Sequence, residues 1–330
     1  VAGLIRKGVS LMATREMVEA AFLASLTAML ALVGVYVLPL SVIANLVWTI
    51  PIVLCVVRNG WRYGVMSLAV ATLLIGLLTN LPLALLLLLQ FGGLGLWYGV
   101  AFRRMWPAWQ IWLPGSVIAA LSVVAAVGLG AWLSGVSLEA LQGQMQAAME
   151  ASLAMYRDSG ALASSGLTEA QLREQLQAML KLLQLLLPSF ILIYGSVTAA
   201  STFLLTRAVL RRLPLPVPPL APFAEWRLPW PFIWLVIAGL AGNLAGEYWS
   251  VEWLRVIGLN LLYVAYPLIF VLGLSVLTFF FRRIEFSPVL LGLGVFLAVA
   301  FLGQFVIIFI GTIGLMDMIF DYRQRVNRDA

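Results

Sequence analysis

Apolar runs, many of them about as long as a bilayer is thick, follow one another along this chain, and nearly every charge falls between them. A helix rises about 1.5 Å per residue, so roughly 30 Å of hydrocarbon takes about 20 residues. Hydrophobic residues make up 63% of the chain and charged ones 10%. A soluble domain keeps roughly a quarter of its residues charged, because its surface must stay hydrated. The expected fold class is an all-α polytopic membrane protein with about nine transmembrane helices, in contact with the lipid bilayer of the plasma membrane.

What is missing narrows the function. There is no histidine, so the usual neutral-pH acid/base and the commonest metal ligand are both absent. Cys55 stands alone in an apolar run, which excludes an intrachain disulfide and a cysteine metal cluster. No GxSxG, HExxH, Walker or dinucleotide glycine motif occurs. No enzyme activity, cofactor or metal is therefore expected. An intramembrane enzyme would need clustered acids, for which Glu247, Glu252, Asp317 and Asp321 are the candidates. The net charge of +6 reads as loop charge rather than as affinity for nucleic acid. A chain opening on Val1 fits translation from a GTG codon, with Met12 or Met17 as other starts, and 1–16 lacks the apolar core of a cleavable signal peptide.

Candidate spans lie at 17–38, 42–58, 64–79, 83–101, 113–134, 182–210, 230–247, 254–281 and 287–316, after a short arm at 1–16. Arginine and lysine alternate across the loops between them. Arg6, Lys7 and Arg15, then Arg58 and Arg62, Arg103 and Arg104, Arg207, Arg211, Arg212 and Arg227, and Arg282 and Arg283 all fall on one side, whereas the 38–42 and 79–83 turns carry none. Positive charge marks the cytoplasmic face, so the N-terminus is expected there. Trp97, Trp106, Trp109 and Trp112 cluster at one such turn and Trp226, Trp230 and Trp234 at another, as amphipathic rings do at headgroup depth.

Two segments should leave the membrane. Residues 135–181 form an external insert of net charge −2, with an amphipathic helix over 138–156, a polar break near 158–167 (including Gly160, Ser164 and Ser165) and a capping box from Thr168 to Gln171. The second helix is expected to run unbroken into the sixth span. A helical hairpin on the outer leaflet and a lid over an external cavity both fit this pattern. Residues 213–231 hold seven of the fifteen prolines (214, 216, 218, 219, 222, 229 and 231), which favours an extended, semi-rigid linker. The linker (213–229) divides a six-span domain (17–212) from a three-span module and tail (230–330).

Polar side chains inside lipid are costly and should face protein or water. Asn45, Asn80, Gln90, Asn243, Glu247, Asn260 and Gln304 all fall toward the expected external half of their spans. The candidate ligand-binding set is Asn45, Asn80, Gln90, Tyr194 and Gln304. Small residues mark close helix packing: Ala20, Ala24 and Ala28, then Ala31, on the first span, and Gly239, Gly242 and Gly246 on the seventh. Packing within the chain and docking onto another membrane subunit are both open for these faces.

Three stretches carry a family resemblance: Thr14-Arg15-Glu16-Met17-Val18-Glu19-Ala20-Ala21-Phe22-Leu23-Ala24-Ser25-Leu26; Ile50-Pro51-Ile52-Val53-Leu54 followed by Arg58-Asn59-Gly60 and Gly64; and Gly314-Leu315-Met316-Asp317-Met318-Ile319-Phe320-Asp321-Tyr322-Arg323. Together they resemble the YybS-like family of predicted bacterial membrane proteins. The first six spans are also similar to the substrate-binding S component of energy-coupling-factor (ECF) transporters. That resemblance implies an externally facing pocket, docking of Ala20, Ala24 and Ala28 onto an ECF-type transmembrane coupling subunit, and cytoplasmic ATPases from other chains. The three added spans and the 135–181 insert depart from that pattern. The function expected is an S-component-like binder or transport subunit for a small or amphiphilic ligand taken from outside. The alternative is a non-transport membrane scaffold recruiting cell-envelope or signalling partners.

Overall fold

A computed structural model describes residues 2–135, 137–159, 166, 168–284 and 287–328. These residues are almost all helical, with no strand among them. Six helices are long and apolar enough to cross a membrane: Thr14–Tyr36, Trp61–Leu78, Leu81–Arg103, Ala108–Ser134, Leu187–Arg212 and Glu252–Arg283. The chain divides into two compact units. One holds the chain up to Ala178 together with Tyr194–Pro219, the other Met179–Ile193 and the chain from Leu220 onward. The division falls within the proline-rich stretch, whereas Met179–Ile193 groups with the second unit and not with the six-span domain to which sequence assigns it.

In the first unit, α1 (Ala2–Tyr36) carries the expected arm and first span as one helix, because the first proline of the chain is Pro39. A short turn through that proline leads to α2 (Ser41–Val47) and α3 (Ile50–Asn59), which share the place of the second span. Gly60, at φ 101°, ends α3 in backbone space closed to other residues. A Cβ there would also lie 2.9 Å from Nη1 of Arg103, which donates to Val56 O at 3.2 Å. Helix α4 (Trp61–Leu78) follows. Asn80 caps α5 (Leu81–Leu87) by accepting from Leu83 N at 2.8 Å, with Pro82 in the first turn. A π-helical turn, Leu88–Gly92, then passes into α6 (Gly93–Arg103).

Helix α7 (Ala108–Ser134) ends on Gly135 in the left-handed conformation, and α8 (Leu138–Asp158) starts under a Ser137 cap. Gly160, Ser164 and Ser165 of the expected polar break lie outside the described residues. The capping box opening α9 (Glu169–Leu185) is reciprocal: Gln171 N donates to Thr168 Oγ1 at 3.3 Å, and Thr168 N to Gln171 Oε1 at 2.9 Å. The insert is thus a pair of helices, tied by Arg173 to Glu150 at 3.0 Å.

The expected unbroken passage into the sixth span does not occur. Leu186 forms a turn, and α10 (Leu187–Arg212) starts afresh with Pro188 in its first residues. Proline has no N–H for the carbonyl four residues back and its ring crowds it, so hydropathy stays continuous while the hydrogen-bond ladder stops.

The second unit contains α11 (Ile233–Tyr248), α12 (Glu252–Arg283), α13 (Pro288–Leu302), α14 (Gln304–Phe320) and a terminal turn of helix, α15 (Tyr322–Arg328). The single span expected at 287–316 is corrected to two helices, α13 and α14, split at Gly303. The cause is local: Gly303 sits at φ 57°, ψ −133°, a conformation essentially restricted to glycine. Hydropathy averages over such a residue, and glycine is tolerated within membrane helices, so composition does not reveal the break.

Candidate functional site

The first unit packs around alanines. Ala20, Ala24, Ala28 and Ala31 of α1 are all buried, Ala24 completely. Ala28 and Ala31 share a cluster with Trp48, Ile75, Ala84 and Phe91, and Ala20 joins Leu23 and Cys55. Of the two uses open for this face, the structure displays packing within the chain. Gly239, Gly242 and Gly246 are likewise filled from their own unit: a Cβ at Gly239 would lie 2.9 Å from Leu262 Cγ, one at Gly242 3.3 Å from Gly258 Cα, and one at Gly246 would meet the Arg255 backbone.

Of the five candidate ligand-binding residues, the structure brings two together. Gln90 Nε2 donates to the Tyr194 hydroxyl at 3.3 Å, 104 residues away in sequence. Gln90 belongs to the π-helical turn Leu88–Gly92, a distortion that often marks functional positions in helices. The same turn lends Phe91 and Gly92 to a gap completed by Trp48, Thr49, Ile52 and Leu68, too tight for a water molecule. Trp48 Nε1 and Thr49 Oγ1, both buried, have no hydrogen-bond partner there. The edge of the Trp48 ring meets Phe91 at 5.1 Å between centroids. Asn45 is exposed, and Asn80 is spent on its cap. Gln304 is exposed as the first residue of α14 in the other unit.

In the second unit the polar chemistry converges on residues outside the candidate ligand-binding set. Asn260 of α12 occupies the helix break at Leu186. Its Nδ2 donates to Leu185 O at 2.8 Å and to Val256 O at 2.9 Å, while its Oδ1 accepts from Ser189 N at 3.0 Å and from the Ser189 hydroxyl. A regular helix would have joined Ser189 N to Leu185 O directly. The carboxamide is inserted between them and satisfies both, as a broken helix in lipid requires.

The C-terminal end of α14 holds a second network. Asp321 adopts a left-handed conformation (φ 49°, ψ 52°), which aspartate tolerates better than most residues, and the turn returns Arg323 to Asp317. Both are almost fully buried, Arg323 at 1% exposure. The guanidinium offers five N–H donors and makes five contacts: Nε and Nη2 to Asp317 Oδ2 at 2.9 and 2.8 Å, Nη2 to Trp226 O at 3.0 Å, and Nη1 to Ala224 O at 2.9 Å and Ser275 Oγ at 3.1 Å. Ser275 Oγ donates to Phe223 O at 2.7 Å. Asp321 adds an exposed pair with Arg227 at 2.9 Å. Residues 223–227 of the proline-rich linker are therefore clamped to α12 and to the end of α14.

This arrangement bears on the candidate acids. Asp317 and Asp321 each face an arginine, while Glu247 and Glu252 are exposed at the facing ends of α11 and α12. No group of three or more acidic or cysteine side chains suited to a metal occurs among the described residues. Sequence assigned Arg323 no role beyond its place at the end of the third family stretch. The available signal was the Asp317–Asp321–Arg323 spacing directly after an apolar helix.

The quoted motifs acquire physical reasons here. Gly60 makes room for Arg103, and Gly64 packs on Val56 where a Cβ has no space. Gly314 packs on the Ile269 carbonyl, 2.5 Å from where a Cβ would lie. No solved structure matches the chain. It is 26% identical over 316 residues to the Uncharacterized protein YybS of Bacillus subtilis (strain 168), covering 95% of this chain and 99% of that one. The family described as Predicted membrane protein (DUF2232) matches residues 25–318, from the alanine face of α1 to the buried Asp317, and the chain belongs to that family of integral membrane proteins.

Proposed function

We propose that the first unit is a binding module for a small or amphiphilic ligand that enters from the external side, in a plasma-membrane protein with a cytoplasmic N-terminus. The observation that carries this reading is the π-helical turn Leu88–Gly92, which supplies Gln90 to Tyr194 and Phe91 and Gly92 to a gap lined in part by Trp48 and Thr49, residues whose buried ring N–H and hydroxyl have no partner. Buried polar atoms without partners are costly, and a ligand that opened the gap would satisfy them. The binding is non-catalytic in this reading, in keeping with acids held by arginines. A transport role would add a coupling subunit and ATPases from other chains, docking elsewhere than on the buried Ala20, Ala24 and Ala28.

The test compares small molecules and lipids extracted from purified wild-type protein with those from a Gln90→Leu, Tyr194→Phe double variant, by mass spectrometry. A species present in the first and lost from the second supports the module; identical profiles refute it. Recovery of a coupling subunit with paired ATPases on mild solubilisation supports transport. A second reading, a scaffold for cell-envelope or signalling partners, is favoured by the clamp on residues 223–227, which holds the linker in a fixed conformation. Recovery of such partners by the wild type, and their loss on Arg323→Ala, would select it.

A further inference from the structure

Arg207 lies near the end of α10 and keeps 9% of its surface exposed. Its Nε is buried with no hydrogen-bond partner, and among the described residues its guanidinium makes neither hydrogen bond nor ion pair. The neighbouring Thr206 hydroxyl is also buried and unpartnered. A buried guanidinium N–H without an acceptor or a counter-charge is costly. Arg323, in the other unit, shows how this chain treats a buried arginine when it supplies the partners itself.

Here the helices packed alongside have no acid to supply. Helix α10 packs beside α6 and α7: the Tyr98 hydroxyl donates to Ala199 O at 2.7 Å, the Phe102 and Phe203 rings lie 5.3 Å apart, and Trp112 Nε1 donates to Ser196 O at 3.2 Å. No Asp or Glu occurs anywhere from Ala20 to Leu138, nor from Leu182 to Ala224. On α10 and at the end of α6 the charges are positive, Arg211, Arg212, Arg103 and Arg104, and Glu19 of α1 is paired with Arg58 at 2.8 Å.

The register also sets the depth. The Tyr98–Ala199 and Phe102–Phe203 contacts advance together by four residues, so Arg207 lies one turn beyond the last of them, past the end of α6 at Arg103. Trp106 stacks edge-on with Trp97 at 5.4 Å between centroids and lies under Arg104 at 5.7 Å. Tryptophan and arginine in this combination mark the headgroup layer.

We infer that Arg207 is the anchor of a binding site for the phosphate of an anionic phospholipid. The planar guanidinium fork fits a phosphate with charge-assisted hydrogen bonds. The surrounding excess of arginine selects a headgroup with net negative charge, and the apolar flanks of α6 and α10 accept the acyl chains.

The experiment uses the full chain purified in a mild detergent, with native mass spectrometry and thermal unfolding as readouts. Phosphatidylglycerol, phosphatidylcholine and inorganic phosphate are added separately to the wild type, to Arg207→Gln and to the exposed control Arg212→Gln. The expected result is that phosphatidylglycerol binds and raises the unfolding temperature of the wild type, that phosphatidylcholine and phosphate do so at least tenfold more weakly, and that Arg207→Gln loses about tenfold in phosphatidylglycerol affinity while Arg212→Gln keeps most of it. Equal effects of the two lipids overturn the proposal, as does protection by inorganic phosphate equal to that by lipid. An absence of any lipid effect on the wild type overturns it without recourse to a variant. Co-purification of a protein released only by Arg207→Gln overturns it in favour of a partner's carboxylate.

Discussion

Arg323 and Asp317 stand six residues apart on either side of a left-handed turn and meet as a buried ion pair at 2.8 Å. Removing one member of a buried pair leaves the other charged and desolvated, at a cost of about 3–5 kcal/mol. Arg323→Ala should therefore lower the thermal unfolding temperature and free Phe223–Arg227. Limited proteolysis should then cut the linker sooner than in the wild type, and unchanged protection would sink the clamp. Arg227→Ala, which breaks only the exposed pair with Asp321, should cost about 1 kcal/mol or less.

Asn260 bridges the helix break at Leu186, so Asn260→Leu strands Leu185 O and Ser189 N at about 1–3 kcal/mol for each buried group. Pro188→Ala returns an N–H to the backbone and lets the helix close its own ladder. The double variant should accordingly lose less than the sum of the two single changes. Strict additivity in a thermal or denaturant double-variant cycle would show that Asn260 does not serve the break.

Close approach of α12 and α14 rests on Gly273 and Gly314. A Cβ at Gly273 would strike the Ile310 carbonyl, and one at Gly314 would lie 2.5 Å from the Ile269 carbonyl. Gly314→Ala should cost about 1–3 kcal/mol, because backbone cannot give way as a flexible side chain can. Gly294→Ala, where a Cβ meets nothing within 4 Å, should stay within about 0.5 kcal/mol of the wild type. Equal effects at the two sites would contradict the packing of this unit.

Ala24 is fully buried, so Ala24→Leu should destabilise the isolated protein by about 1–3 kcal/mol through overpacking. The exposed Phe22→Leu should be close to neutral. Should Ala24→Leu leave unfolding untouched but abolish recovery of a partner subunit, the alanine face would be a docking surface and not a core.

Helix content and the membrane class were legible because both follow from one-dimensional patterns: run length, excluded charge and the spacing of arginine-bearing loops. The Thr168–Gln171 capping box was readable for the same reason, since caps act within a few residues. The break at Gly303 was hidden because a single backbone conformation leaves hydropathy unchanged. Gln90 and Tyr194 were both in the candidate ligand-binding set, but their pairing across 104 residues belongs to tertiary structure. Asn260 was read only as a polar group toward the external half of its span, and its use as a backbone substitute required the neighbouring helix break to be seen.

Sequence by itself determined that this chain is a multi-pass helical protein, because the cost of burying charge in lipid acts on every residue independently of its neighbours in space. Only the tertiary structure decided which polar groups are satisfied and which are not. Arg323 and Arg207 have the same side chain, and both are buried near the end of an apolar helix. One finds four acceptors brought in by a left-handed turn, a linker and another helix, whereas the other packs beside helices that contain no acid. A guanidinium takes its partners from three dimensions, and no local pattern records which of them will be present.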